Sequence, residues 1–363
     1  MDLLFQPFQI KNLNIKNRIC FPPVVCYSAG REDGSVTEQH IEHYRNIANG
    51  GTGLIIQEAT CVDKMGRLSR RQLGIWEDGQ IEGLSGIVKA VHEEGCPIVI
   101  QIHHAGAAGV EKELLCPSNY CFQKNGSQNI GREITIEEIH QIRQEFVDAA
   151  VRAYKAGYDG VELHGCHQYL MCEFFNGRVN KREDEYGKYP ERFAVEILRA
   201  VKACVPKEFL VGIRLGGFEP DLNTSQQFAK ILEKEGIDFL DISYGFTGED
   251  EPYAPDDFLF QPCIYAAQEI KKVVSVPVFA VNSIMSPEMA EEVLQKTNVD
   301  LVDIARGIMV NPSWANDALE GRDTGKCLHC RECSWSKDME TCKGRILLKR
   351  QRGKENPVNK LFE

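Results

Sequence analysis

Short apolar runs rich in β-branched residues alternate along the chain with longer stretches whose apolar positions recur at helical spacing. The runs RICFPPVV (18–25), GLIIQEAT (53–60), PIVIQIHH (97–104) and GVELHGC (160–166) are predicted strands. So are FLVGIRLGG (209–217), FLDISYG (239–245), VPVFAVNS (276–283) and LVDIARG (301–307). Between them lie helical patterns such as 135–157, where Ile139, Ile142, Phe146, Ala149, Ala150 and Ala153 form one apolar face. Gly95, Gly157 and Gly236 stand just before strands, where a left-handed helix C-cap is wanted. Strand then helix, eight times over, is the grammar of a (β/α)8 TIM barrel. The competing open doubly wound sheet would call for a Gly-x-Gly-x-x-Gly turn after the first strand, and there is none.

Residues 105–134 are too long and irregular for a simple connection and follow the third strand, so they are expected to form a cap loop over the barrel mouth. Side-chain alternation puts Glu162 and His164 on one face of the fourth strand, opposite Val161 and Leu163. The same count turns Gln101 and Arg214 toward the mouth. For each of these polar groups, structural pairing with a barrel carboxylate such as Glu162 competes with ligand binding, and three together favour a ligand. Arg306 and the backbone around Asn282 and Ser283 follow the last two strands, where barrels often hold a phosphate.

Composition narrows the partners. The 363 residues are 43% hydrophobic and 26% charged, with net charge -11 and pI about 5.4, which opposes any general hold on nucleic acid or anionic lipid. The one cationic cluster is 343–354. The N-terminus has no signal-peptide pattern, and no run approaches the roughly 18 apolar residues of a membrane span. A cytoplasmic location is therefore expected. Ten of the 14 cysteines are scattered singly, as suits reduced thiols.

The other four, Cys327, Cys330, Cys333 and Cys342, fall within sixteen residues, where chance would place about 0.6. Cys-x2-Cys-x2-Cys with a fourth cysteine nearby suits an iron–sulfur cluster, [4Fe-4S], ahead of structural zinc, with free thiols third.

The stretches IKNRICFPP, GGTGLIIQEAT, QLGIW, IQIHHAG, CPS, REIT, GVELHGCHQYL, EFFNGRVNKREDEYG and ARGIMVNP together resemble the old yellow enzyme family of FMN-dependent oxidoreductases. The resemblance implies that residues 1–322 form an FMN-binding barrel and 323–363 a cysteine-rich extension. It implies that His164 and His167 hydrogen-bond a substrate carbonyl, that Tyr169 donates a proton, and that Tyr27 lies near the substrate. FMN would meet Pro23, Val24, Ala59, Gln101 and Arg214, with Ser283, Ala305 and Arg306 at its phosphate. The implied reaction reduces the C=C bond of an α,β-unsaturated carbonyl compound with NAD(P)H. An isolated His-x-x-His would more often be a satisfied structural pair, and a metal reading lacks an evident third ligand.

Several positions depart from the family pattern: Pro22, Val25 where some members carry Cys or Thr, Cys26 one position later and so facing away, a shorter segment at EYGKYPERF, and AVNS without glycines. The cysteine cluster resembles that of the dienoyl-CoA reductase and trimethylamine dehydrogenase branch, whose intervals differ. This supports a second reading, an iron–sulfur flavoprotein dehydrogenase exchanging electrons with a separate protein. A third is a non-catalytic flavin-binding sensor. Expected partners are an enone or enoyl substrate, that electron-transfer protein, and a further copy of the chain in a homo-oligomer.

Overall fold

A computed structural model describes residues 1–124, 127–246 and 252–355. Eight parallel strands close into a barrel: β1 (Ile19–Phe21), β2 (Leu54–Cys61), β3 (Ile98–His103), β4 (Gly160–Gly165), β5 (Leu210–Gly216), β6 (Leu240–Ser243), β7 (Val278–Ala280) and β8 (Leu301–Asp303). Neighbours in sequence are neighbours in the barrel except at closure, where β8 pairs with β1. Helices follow the strands: α1 (Glu38–Asn49), α2 (Ile81–Glu93), α3 (Ile136–Ala156), α4 (Arg192–Cys204), α5 (Leu222–Lys234), α6 (Pro262–Lys271), α7 (Pro287–Lys296) and α8 (Arg306–Val310).

The helix expected over 135–157 is α3, opened by a Thr135–Glu138 capping box and closed by Gly157 at φ 95°. Gly95 and Gly236 are also left-handed, at φ 65° and 89°. Two strands are shorter than their sequence patterns. β1 stops at Phe21 because Pro22 and Pro23 have no N–H for the ladder. β7 stops at Ala280 because Asn282 and Ser283 turn to φ 111° and 56°.

The closed end of the barrel is apolar. Leu54, Ile56, Val99, Leu210, Phe239, Phe279 and Leu301 fill it, and the antiparallel pair Phe8–Ile10 and Leu13–Ile15 plugs it with Ile10 and Ile15. The rings of Phe239 and Phe279 stack at 5.0 Å. Gly212 leaves room for them, since a Cβ there would lie 2.1 Å from the Phe239 ring.

The expected irregular cap is instead largely a small sheet. Leu114–Cys116 pairs in parallel with Ser127–Glu133, which pairs antiparallel with Tyr120–Lys124; residues 125–126 lie outside the described residues. Its apolar residues Cys116 and Phe122 pack with Ala107 and Ala108, alongside Tyr169. Arg182 fastens the cap by donating to the carbonyls of Pro117 at 3.0 Å and Ile134 at 2.6 Å, while Asp184 holds its guanidinium. The NGRVNKREDEYG stretch thus has a structural share in the cap.

Beyond the barrel, 343–355 is a helix whose Arg345 donates to the Met309 carbonyl. The cationic cluster is partly neutralised within the chain: Arg345 and Lys349 pair with Glu340, and Arg352 with Asp317. Residues 356–363 of the extension lie outside the described residues. Among the described residues no helix is long and apolar enough to cross a membrane.

Candidate active site

β4 delivers His164 at its C-terminal end, and the chain then reverses through His167 and Gln168, both at positive φ, 60° and 65°. Non-glycine residues occupy this region at a cost, and two in succession make a tight turn that brings Tyr169 back beside the strand. His164 Nε2 lies 3.3 Å from His167 Nδ1, and His167 Nε2 lies 2.7 Å from Ser243 Oγ on β6. The Tyr169 ring stands 4.8 Å from that of His164. The three residues singled out in the sequence are therefore one cluster.

Burial, followed by the neighbouring His103, His167 and Arg214, drives the His164 imidazole well below its ordinary pKa, so it is neutral. Burial likewise raises the Tyr169 phenol, which stays protonated, and does the same to Tyr27, with Tyr169 the next contributor. Tyr27, Pro23 and Val24 are half-buried along the loop after β1. Cys26 is buried; its N–H donates to Glu58 at 2.8 Å and its side chain packs with Trp335 and Met339.

His103 was not singled out by the sequence reading. It is fully buried, neither ring nitrogen has a hydrogen-bond partner, and its ring is edge-on to His164 at 5.0 Å and Tyr169 at 4.6 Å. The signal was available: His103 lies two residues beyond Gln101 on the same strand face. A third donor beside the two histidines also escaped notice. Cys166 Sγ and nitrogens of His164 and His167 lie within 4.8 Å of one another, correcting the expectation that no third metal ligand is at hand. Burial raises this thiol well above its ordinary pKa despite Arg214, so it is protonated and a poor ligand.

Gln101 and Arg214 both face barrel carboxylates. Gln101 donates to Glu162 Oε1 at 2.7 Å, the structural pairing. Arg214 Nε lies 3.3 Å from Asp241 Oδ2 yet makes no hydrogen bond, leaving a buried donor to be satisfied. Ala59 is buried on β2 next to a register shift between Gln57 and Thr60.

At the ends of β7 and β8, Arg306 Nη2 donates to Ser283 Oγ at 3.0 Å, and Ala305 is half-buried beside it. Asn282 and Ser283 take up positive φ without glycine, so AVNS still makes a sharp turn here. His329, between the first two clustered cysteines, reaches Arg306 Nη1 at 3.1 Å. Trp335 and Cys342 pack near Val24 and Cys26. The cysteine segment thus lies against both the loop after β1 and Arg306. Among the described residues no three of its thiols lie within 4.8 Å of one another, so they are not gathered at zinc-ligand spacing.

A barrel with these residues at its mouth is the setting in which the comparisons with known proteins take their meaning. The profile of the NADH:flavin oxidoreductase / NADH oxidase family matches residues 3–325, and the chain belongs to that family. It is 36% identical over 328 residues to the NADPH dehydrogenase of Geobacillus sp. (strain WCH70), covering 86% of this chain and 92% of the relative. It is 39% identical over 345 residues to the NADH oxidase of Thermoanaerobacter brockii, covering 90% of this chain but only 52% of that protein, so it spans about half the relative's length. Its fold matches the old yellow enzyme homologue from Zymomonas mobilis with a TM-score of 0.77 at 27% identity, over 93% of this chain and 99% of the other.

Proposed function

We propose that this protein is an FMN-dependent NAD(P)H oxidoreductase that reduces the activated C=C bond of α,β-unsaturated carbonyl compounds. The observation that carries the reading is the gathering of His164, His167 and Tyr169, two imidazoles and a protonated phenol, at the end of β4 and the turn that follows it. The remaining residues suit the cofactor. Arg214 and Gln101 would meet the isoalloxazine, the buried Arg214 guanidinium offering positive charge. Pro23, Val24 and Ala59 would line it, and Ser283, Ala305 and Arg306 would take the phosphate.

Bound FMN would supply hydride to the substrate β-carbon. His164, neutral, keeps an N–H to donate to the substrate carbonyl oxygen, where negative charge grows as hydride arrives, and His167 offers a second donor. Tyr169, held protonated, delivers its O–H proton to the α-carbon. Tyr27 borders the same space. The test is an anaerobic absorbance titration. Flavin bleached by NADH or NADPH and restored by a simple enone supports the reading; folded protein without flavin, or flavin that no enone reoxidises, overturns it.

A second reading rests on the packing of the cysteine segment against Val24 and Arg306. Here Cys327, Cys330, Cys333 and Cys342 hold a [4Fe-4S] cluster that exchanges electrons with a separate protein. It predicts iron and acid-labile sulfide in the protein and slow flavin reduction by NAD(P)H alone.

A further inference from the structure

Beneath Arg214 the barrel interior holds more negative groups than one guanidinium can balance. Glu162 on β4, Asp241 on β6 and Asp303 on β8 are all buried within the barrel. Arg214 lies 3.3 Å from Asp241 and 3.8 Å from Asp303. Glu162 accepts one hydrogen bond, from Gln101. Its other oxygen and all four oxygens of the two aspartates have no hydrogen-bond partner among the described residues. Asp241 nevertheless lies within hydrogen-bonding reach of both Glu162 and Asp303, contacts that become bonds only when a carboxyl carries a proton.

Among the described residues the neighbours add no second cation. Cys20 on β1, Cys166 after β4 and Cys263 at the start of α6 are buried thiols pushed up by desolvation, and hence neutral. His164, above the layer, is neutral by burial. Glu58 of β2 is turned to Cys26 and Tyr44, and β7 contributes Phe279. Burying unpaired carboxylates is unfavourable, so charge balance with the one guanidinium leaves two of the three carboxyls protonated and the third paired with Arg214. Burial drives all three upward, with Arg214 pulling the other way.

We propose that Glu162, Asp241 and Asp303 form a proton store behind Arg214, which takes up one further proton when a negative charge arrives on the mouth side of that arginine. The proposal rests on the reading that FMN sits against Arg214. FMN bound there, once it held two electrons and one proton, would carry one negative charge beside Arg214. Arg214 then balances that charge, and the last carboxylate of the store becomes a carboxylic acid with a proton from water. The balance is two electrons and two protons, with no net change of charge in the barrel. His167, which is exposed, contacts both His164 and Ser243, two residues beyond Glu162 and Asp241 on their strands, so solvent comes within two strand residues of the layer.

The test is the flavin midpoint potential of the FMN-loaded protein, equilibrated with reference dyes between about pH 6 and 8, where the slope counts protons taken up per electron pair. Wild type is expected to take up two, and the isosteric triple variant Glu162→Gln/Asp241→Asn/Asp303→Asn one. One proton in wild type, or two in both proteins, overturns the store, the latter because the second proton would then sit on the flavin. If the variant does not fold, the reduced-minus-oxidised infrared spectrum of wild type decides. A gained carbonyl stretch from a protonated carboxyl, shifted by carboxyl ¹³C labelling of Asp and Glu, supports the store, and its absence overturns it. Protein that folds but binds no FMN defeats the functional reading instead, and shows itself before any potential is measured.

Discussion

His164 and His167 are both assigned to the substrate carbonyl, yet their surroundings differ, and this difference predicts unequal losses. His164 is 5% exposed, so its N–H acts where water does not compete. His167 is exposed, and its neighbour Ser243 remains to hydrogen-bond the vacated space. Removing one desolvated donor to a developing oxyanion costs about 10²–10³ in rate, ~2.7–4 kcal/mol. A solvated donor should cost about tenfold, ~1.4 kcal/mol. The assay is stopped-flow reoxidation of pre-reduced flavin by an enone, which isolates the step in which the carbonyl acquires charge. His164→Ala should slow it by about two to three orders of magnitude and His167→Ala by about one. Because His164 is neutral throughout the working range, the wild-type rate should show no histidine titration attributable to it between about pH 6 and 8. Equal losses, or a larger one at His167, would refute the assignment of the buried imidazole as principal donor.

Three other outcomes follow from single environments. Burial holds His43 down to about 3, whereas its unfolded value is near 6.5, so the unfolded chain binds the proton that the folded one refuses and stability falls as pH drops below about 6.5. Replacing His43 with Phe removes that term, and between pH 7.5 and 5.5 the variant should gain about 1.4 kcal/mol on wild type in urea unfolding; an unchanged difference would show His43 protonating in the fold. Gly212→Ala places a Cβ against the Phe239 ring and should cost about 1–3 kcal/mol by the same measurement. On the second reading, anaerobically purified protein should carry iron and acid-labile sulfide that Cys330→Ser loses, and zinc without sulfide would instead assign the thiols to a structural metal.

The barrel was legible because its strands are apolar runs closed by helix caps, and closure follows from the count. Where strand ends failed, the cause was backbone chemistry that periodicity does not carry: two prolines after Phe21, and left-handed Asn282 and Ser283. The cap was expected, but its sheet was not, because YCFQK and SQNIGRE are held by pairing with each other rather than by a readable apolar pattern. At the site, alternation turned Gln101, His164 and Arg214 to one mouth and position after the last two strands picked out Ser283 and Arg306, while the resemblance supplied the role of Tyr169 and added Ala305. His103 lay on the same face as Gln101 and could have been found by extending that count. Cys166 and His329 could not, since a turn and a distant segment deliver them.

The central claim is that hydride reaches the β-carbon while Tyr169 protonates the α-carbon of a carbonyl held by the histidines. The most direct measurement is the NMR-detected position of deuterium in the product of a prochiral enone. With nicotinamide carrying deuterium on the transferred hydrogen, the label should appear at the β-carbon alone; in deuterated water it should appear at the α-carbon, on one face, with the rate of that step falling in Tyr169→Phe. Solvent label on both faces of the α-carbon, or nicotinamide label absent from the β-carbon, would contradict it.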